Sequence, residues 1–254
     1  MSVAEAGEIL ETEDLSWSVG GIHIIRGVSL RVTQGEFLSV IGPNGAGKTS
    51  LINLVSGVVR PTAGAIRFGR TDITRRGPAD RAKAGIARTF QTSSVFLERT
   101  VLENVRLAAQ ARLGGSGSLF RRPRRNDRAT ELARDALERS ALQGVAYKQA
   151  GELTHADKRK LELAILAVQR PKLLLLDEPT SGAAAEEVDV LIDIARGIHR
   201  EGNTVVMVEH HIELVASISD RIAVMHNGGL LMVDSPDVVL SDPTVQKAYL
   251  GEGL

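Results

Sequence analysis

Phe37-Leu-Ser-Val-Ile41 is an unbroken apolar run bounded by Gly35 and Gly42, which is the signature of a short buried strand. The period then changes. From Lys48 to Val58 the residues Leu51, Leu54, Val55 and Val58 fall on one stripe of a helix. Ala65–Phe68 and Ile86–Phe90 read as further strands. Thr100–Arg112 and Asp127–Arg139 carry helical spacing with no strand signal between them. Their connection contains Gly114-Gly-Ser-Gly-Ser118 and Arg121-Arg-Pro-Arg-Arg125, the composition of a solvated loop. Alternation resumes with a strand at Leu173–Leu176, a helix at Glu186–His199, a strand at Thr204–Val208, a helix at His211–Ile218 and strands at Arg221–Met225 and Leu230–Val233. Four consecutive leucines suit a strand covered on both faces, as in a mostly parallel sheet. The pattern therefore predicts an α/β core with an all-helical insertion from about Val95 to Val168.

Composition narrows the functions available. The 254 residues are 43% apolar, enough for a sizeable core, and 31 basic residues balance 31 acidic ones. That balance gives no support to a nucleic-acid partner. The Arg121–Arg125 cluster has no interleaved aromatics on which bases could stack. It reads as a solvated loop, or as a contact for anionic headgroups. The absence of cysteine excludes disulfides, thiolate metal sites and thiol catalysis. The opening MSVAEAGEILETED lacks the apolar run of a secretory signal. No stretch approaches the ~18 apolar residues of a spanning helix, so no membrane crossing is expected.

Gly42-Pro43-Asn44-Gly45-Ala46-Gly47-Lys48-Thr49 matches the phosphate-loop pattern G-x-x-x-x-G-K-[ST]. It sits between a predicted strand and a predicted helix, where its chemistry needs it. Glycines let successive backbone N–H groups turn toward phosphate oxygens, and the start of the helix, with Ser50 in its first turn, adds a positive dipole end. Lys48 can reach the outer phosphates, and the Thr49 hydroxyl can ligate Mg²⁺. Asp177-Glu178 closes the Leu173–Leu176 strand, and ligands gather at the carboxyl ends of strands in open α/β sheets. Neighbouring strand residues point to opposite sides. Asp177 can thus organise Mg²⁺ while Glu178 acts as general base on a water. The plainer reading is a pair of solvated carboxylates.

With these residues the chain resembles the ATP-binding subunits of ABC transporters over nearly its whole length. The resemblance implies one ABC ATPase domain over 1–254: a P-loop core of 1–94 and 170–254 with a mostly parallel sheet and an antiparallel β portion on the N-terminal side, and a helical subdomain of 95–169. Gln91, in Arg88-Thr-Phe-Gln91, is similar to the glutamine that contacts Mg²⁺ and the attacking water. Leu153-Thr-His-Ala-Asp157 stands where the family's signature segment belongs, which implicates Thr154 and Ala156 in holding the γ-phosphate of ATP on a second subunit. His210, after Glu209, is similar to the switch histidine at that phosphate. RTFQ, TVLENV and the tail Ala248-Tyr-Leu-Gly251 most resemble importers of branched-chain amino acids, and urea and short-amide importers share much of the pattern. The implied partners are a second ATP-binding subunit, identical or paralogous, membrane permease subunits and indirectly a solute-binding protein. The implied place is the cytoplasmic face of the inner membrane, as a peripheral protein. Ser94-Val-Phe-Leu97 is apolar for a connection and reads either as core of the helical lobe or as a groove for a permease helix.

Three positions depart from the family pattern. Ala156 replaces a signature glycine, with Thr154 for its serine; Ala184 stands where Asp or Asn is usual; and Val19 replaces the aromatic that stacks on adenine. Trp17 lies on the same face of an extended strand and can substitute. These changes motivate a second reading, a nucleotide-binding regulatory subunit with little hydrolysis. A soluble ABC ATPase of repair or translation would need tandem domains or long coiled coils, and a GTPase would need an Asn-Lys-x-Asp motif, which is absent. His210-His211 has no third ligand to make a metal site.

Overall fold

A computed structural model describes residues 7–89, 95–114 and 127–250. The chain packs as two compact units, one built from residues up to Arg88, Lys172–Glu178 and Gly202 onward, the other from Thr89–Pro171 and Pro179–Glu201.

The first unit holds two sheets. Strands β1 (Glu8–Val19) and β2 (Ile22–Thr33) form a long antiparallel hairpin. Beyond β3 (Phe37–Ile41) and helix α1 (Lys48–Ser56), β4 (Ala63–Phe68) pairs with β1 and the short β5 (Thr71–Asp72) with β4, giving the order β2-β1-β4-β5. The second sheet uses β6 (Ile86–Arg88), β7 (Leu173–Asp177), β8 (Thr204–Val208), β9 (Arg221–His226) and β10 (Gly229–Asp234) in the order β10-β9-β3-β8-β7-β6. All its pairings are parallel except β9 with β10. Every residue of β3, β7 and β8 is buried, which is why these strands read as continuous apolar runs rather than alternating ones. One core of leucine, isoleucine and valine side chains joins the two sheets and α1.

Helix α1 stops at Ser56, short of the expected Val58, because Gly57 takes a left-handed φ of 80° and its N–H bonds the Asn53 and Leu54 carbonyls. The end of α1 has a second fastening. Arg81, in α2 (Pro78–Ala84), is 1% exposed and donates to the carbonyls of Leu54 (2.6 Å) and Val55 (2.7 Å). It donates further to Ile73 (2.8 Å), Thr74 (3.2 Å) and Arg76 (3.0 Å). Burial lowers the guanidinium pKa to about 10. A cation at a helix C-terminus complements the dipole there.

The second unit is helical: α3 (Val101–Arg112), α4 (Arg128–Arg139), α5 (His155–Gln169) and α6 (Ala185–Arg200). The first three share a core of Val105, Ala109, Ala133, Leu137, Leu161 and neighbours. Their starts are capped from the sequence: Thr100, Asp127 and Thr154 each accept the N–H three residues on. The start of α6 is half capped. Glu187 accepts the Ala184 N–H at 3.0 Å, but Ala184 has no side-chain oxygen to return the bond. Helices α7 (Ile212–Ile218), α8 (Pro236–Ser241) and α9 (Pro243–Leu250) complete the described elements of the first unit. Among the described residues no helix is long and apolar enough to cross a membrane.

Candidate nucleotide site

The sheet order brings the ends of β3, β8 and β7 side by side, and each parallel strand releases a chemically equipped segment at its carboxyl end. After β3 the chain enters Gly42–Gly47. Gly42 is packed so tightly that a Cβ there would overlap the Met225 carbonyl oxygen, and a Cβ on Gly47, whose φ is 100°, would lie 2.8 Å from Ile25 Cδ1. Gly45 differs: at φ 79° its missing Cβ position has nothing within 4 Å. The loop is thus clasped by protein at both ends and open at its crest, where Asn44 and Gly45 are exposed. Pro43 accepts the Ala46 N–H (3.2 Å) and Ala46 accepts the Gly228 N–H (3.1 Å), which fixes the curl. Lys48 is 6% exposed and its Nζ donates to the carbonyls of Gly42 (2.7 Å) and Pro43 (3.0 Å). Thr49 and Ser50 sit half-buried in the first turn of α1.

β7 ends on Asp177, 4% exposed, whose Oδ1 accepts the Thr49 hydroxyl at 3.2 Å. Burial raises the Asp177 pKa above the ordinary carboxyl value, and the Thr49 bond and the Arg88 charge oppose that rise. The next residue turns away. Glu178 has a φ of 49° and its N–H bonds the Val208 carbonyl at 3.0 Å. A non-glycine residue in that region stores ~1–2 kcal/mol, strain of the kind found where side chains must be aimed. The Glu178 carboxylate Oε1 lies 2.6 Å from His210 Nε2. The two acids therefore meet different partners: Asp177 the P-loop helix, Glu178 the segment after β8. Glu209, 2% exposed, accepts the His210 N–H at 3.0 Å and sets that segment from beneath.

Of the other sequence candidates, Trp17 is half-buried on β1 opposite Ile25, the residue that fills the space beside Gly47. Val19 is 51% exposed near the hairpin turn. Thr154 and Ala156 lie in the second unit, where the Thr154 hydroxyl oxygen caps α5 at 3.1 Å from the Asp157 nitrogen and Ala156 is 3% exposed. Gln91, Phe90 and the Arg121–Arg125 cluster lie outside the described residues. Sequence reasoning missed Arg88 and its two anchors on α1. Their signal was the polar stripe Thr49, Asn53, Ser56 at i, i+4, i+7 of an otherwise apolar helix. The open crest with its amide donors, the Lys48 ammonium and the oxygen pair of Thr49 and Asp177 fit a magnesium nucleotide, since Mg²⁺ takes few protein oxygens and shares the phosphates.

Residues 25–181 match the family model for the ABC transporter domain, more than half of the chain. The chain belongs to the ABC transporter family. This ABC subunit is 39% identical over 250 residues to the high-affinity branched-chain amino acid transport ATP-binding protein BraF of Pseudomonas aeruginosa, covering 96% of this chain and 98% of that one. It is 33% identical over 253 residues, with the same coverage, to the probable branched-chain amino acid transport ATP-binding protein LivG of Methanocaldococcus jannaschii. Among solved structures, the ADP conformation of MJ1267, an ATP-binding cassette of an ABC transporter, matches with a TM-score of 0.83 at 32% identity, covering 97% of this chain and 100% of that chain. The protein is an ATP-binding subunit of this family and an ATPase with the expected fold, a P-loop α/β core carrying a parallel and an antiparallel sheet. Nothing in the site or in these likenesses favours a regulatory subunit with little hydrolysis.

Proposed function

We propose that this ATPase powers an importer of branched-chain amino acids or of related small solutes, acting as one half of a head-to-tail pair on the cytoplasmic face of the inner membrane. The observation that carries the reading is the meeting of Lys48, Thr49, Asp177, Glu178 and His210 at three adjacent strand ends. Near-full-length likeness to amino-acid transport ATP-binding proteins supports the solute class.

In this reading the backbone N–H groups of Gly42–Gly47 and the dipole of α1 receive the phosphates. The Lys48 ammonium lies at the same loop and answers their charge. Thr49 and Asp177, with Gln91, would hold a magnesium ion, which would neutralise charge on the phosphate oxygens. Glu178 takes the proton of the attacking water at its carboxylate, and His210, bonded to that carboxylate, orients it. Trp17 and Val19 are the residues of β1 that would meet the base. Thr154 and Ala156 serve the nucleotide of the second subunit, identical or paralogous. Permease subunits dock on the second unit, where Phe96 is 61% exposed and yet held by Asn104, which accepts the Phe96 N–H (2.8 Å) and donates to its carbonyl (3.0 Å). A solute-binding protein acts through the permease.

Glu178→Gln tests the pairing and the general base together. The variant should bind ATP, lose turnover by about 10²-fold or more, and elute as a dimer with ATP. Variant that stays monomeric at saturating ATP refutes the pairing. The solute class is tested by reconstitution with permease and binding protein, where leucine, isoleucine or valine should raise ATP hydrolysis. Stimulation by urea or short amides alone would move the assignment to those solutes.

A further inference from the structure

Arg88 ends β6, and its guanidinium joins the two elements that frame the metal-binding oxygens. Its Nη1 donates to Asn53 Oδ1 (2.7 Å) and Ser56 Oγ (2.8 Å), both on α1. Its Nη2 lies 3.9 Å from Asp177 Oδ2. On the other side of the carboxylate, Oδ1 accepts the Thr49 hydroxyl. Thr49, Asn53 and Ser56 share one face of α1, so the contacts close a ring: α1 to Asp177 through Thr49, Asp177 to Arg88, and Arg88 back to α1. The side chains of Arg88 and Asp177 are 10% and 1% exposed, so water does little to screen the pair. At 3.9 Å the Arg88–Asp177 contact is a charge contact rather than a hydrogen bond. Such a contact steers a carboxylate without consuming the lone pairs it offers a metal's water shell.

We infer that Arg88 is a positioning residue for the hydrolytic metal: held by Asn53 and Ser56, it fixes the second oxygen of Asp177 relative to the P-loop helix. It touches neither nucleotide nor metal in this scheme and acts through Asp177. The inference rests on the reading of Asp177 as the Mg²⁺-organising acid. Groups of this kind that orient a ligand typically change metal affinity or activity by about 10–100-fold when removed. Lysine is not an adequate substitute, because a point charge cannot engage Asn53, Ser56 and Asp177 from one planar fork.

The test uses the full chain and compares Arg88→Met, Arg88→Lys and Asp177→Asn with the parent. ATP affinity is measured by calorimetry with Mg²⁺ and again with a chelator, and thermal melting is recorded alongside. Arg88→Met should keep metal-free ATP affinity within about threefold and lose the gain that Mg²⁺ confers by about tenfold, with Arg88→Lys between parent and Met. A merely structural arginine would weaken both affinities together or lower melting alone, leaving their ratio unchanged, and that result overturns the inference. Asp177→Asn separates the premise from the inference. If it too leaves the ratio unchanged, the assignment of Asp177 is wrong. If it collapses the ratio while Arg88→Met does not, only the role of Arg88 falls.

Discussion

Gly42 and Gly45 share a loop and a residue type, yet the structure assigns them different tasks, and alanine at each separates the two. At Gly42 an added Cβ overlaps the Met225 carbonyl oxygen and lies 3.1 Å from the carbonyl carbon and 3.2 Å from Ala46 Cβ. Met225 is fully buried in β9, which is paired on one side to β3 and on the other to β10. That carbonyl cannot withdraw without disturbing two ladders. Overpacking of this kind costs ~1–3 kcal/mol, and a positive φ adds ~1–2 kcal/mol. At about 250 residues each kcal/mol moves melting by roughly 2–4 °C, so a combined cost of about 2–5 kcal/mol should lower it by about 4–20 °C in Gly42→Ala. At Gly45 only the φ penalty applies, because nothing lies within 4 Å of the new methyl group. Gly45→Ala should therefore lower melting by only about 2–8 °C and instead weaken ATP binding, the methyl group occupying the open space proposed for phosphate. Differential scanning fluorimetry and nucleotide calorimetry on the two variants decide the matter. Equal melting temperatures, or Gly42→Ala within about 3 °C of the parent, would refute this account of the loop.

Two further outcomes follow from the helix starts. Ala184→Asp supplies the missing side-chain acceptor at the start of α6, opposite Glu187, and should stabilise the protein by about 1 kcal/mol in chemical denaturation; no gain would refute the half-capped start of α6. Asp127 caps α4, and the bonds it accepts from the Thr130 hydroxyl and backbone N–H hold its carboxyl below the ordinary carboxylate range. Because the folded-state value is the lower one, this stabilisation is present above the unfolded pKa and is lost as pH falls through the folded one. Asp127→Ala should therefore cost about 1 kcal/mol at pH 7, with the difference from the parent shrinking as pH falls below the ordinary carboxyl range; a penalty independent of pH would contradict the cap.

The strands that carry the site were legible because they are short and buried on both faces. Phe37–Ile41 and Thr204–Val208 occupy the expected positions, and β7 runs one residue beyond the expected Leu176, taking in Asp177. The N-terminal hairpin was legible only through the family resemblance. Its pairing shifts register between Thr12 and Leu15 and between Leu15 and Trp17, and Asp14 has a φ of 46°; such bulges break the two-residue alternation that announces a strand. A further register shift, between Trp17 and Ser18, means that alternation alone does not put Trp17 and Val19 on one face. Within the candidate site, motif spacing singled out Lys48, Thr49, Asp177 and Glu178, and the structure brings them together because the chain itself carries each to a strand end. Arg88 stayed hidden because its partners, Asn53, Ser56 and Asp177, stand 35, 32 and 89 residues away in a chain that only the parallel sheet brings together.

Arg81 has a bearing on how the chain acquires its nucleotide loop. Helix α1 is nine residues long, too short to persist alone in water. Two of its terminal carbonyls are answered by a guanidinium lying 27 and 26 positions later in the chain. Until Arg81 has been made, the far end of this helix has only its Gly57 cap. The loop at the head of the helix waits longer still, because the Gly228 N–H that fixes its curl and the Met225 carbonyl packed on Gly42 belong to a much later stretch of the chain.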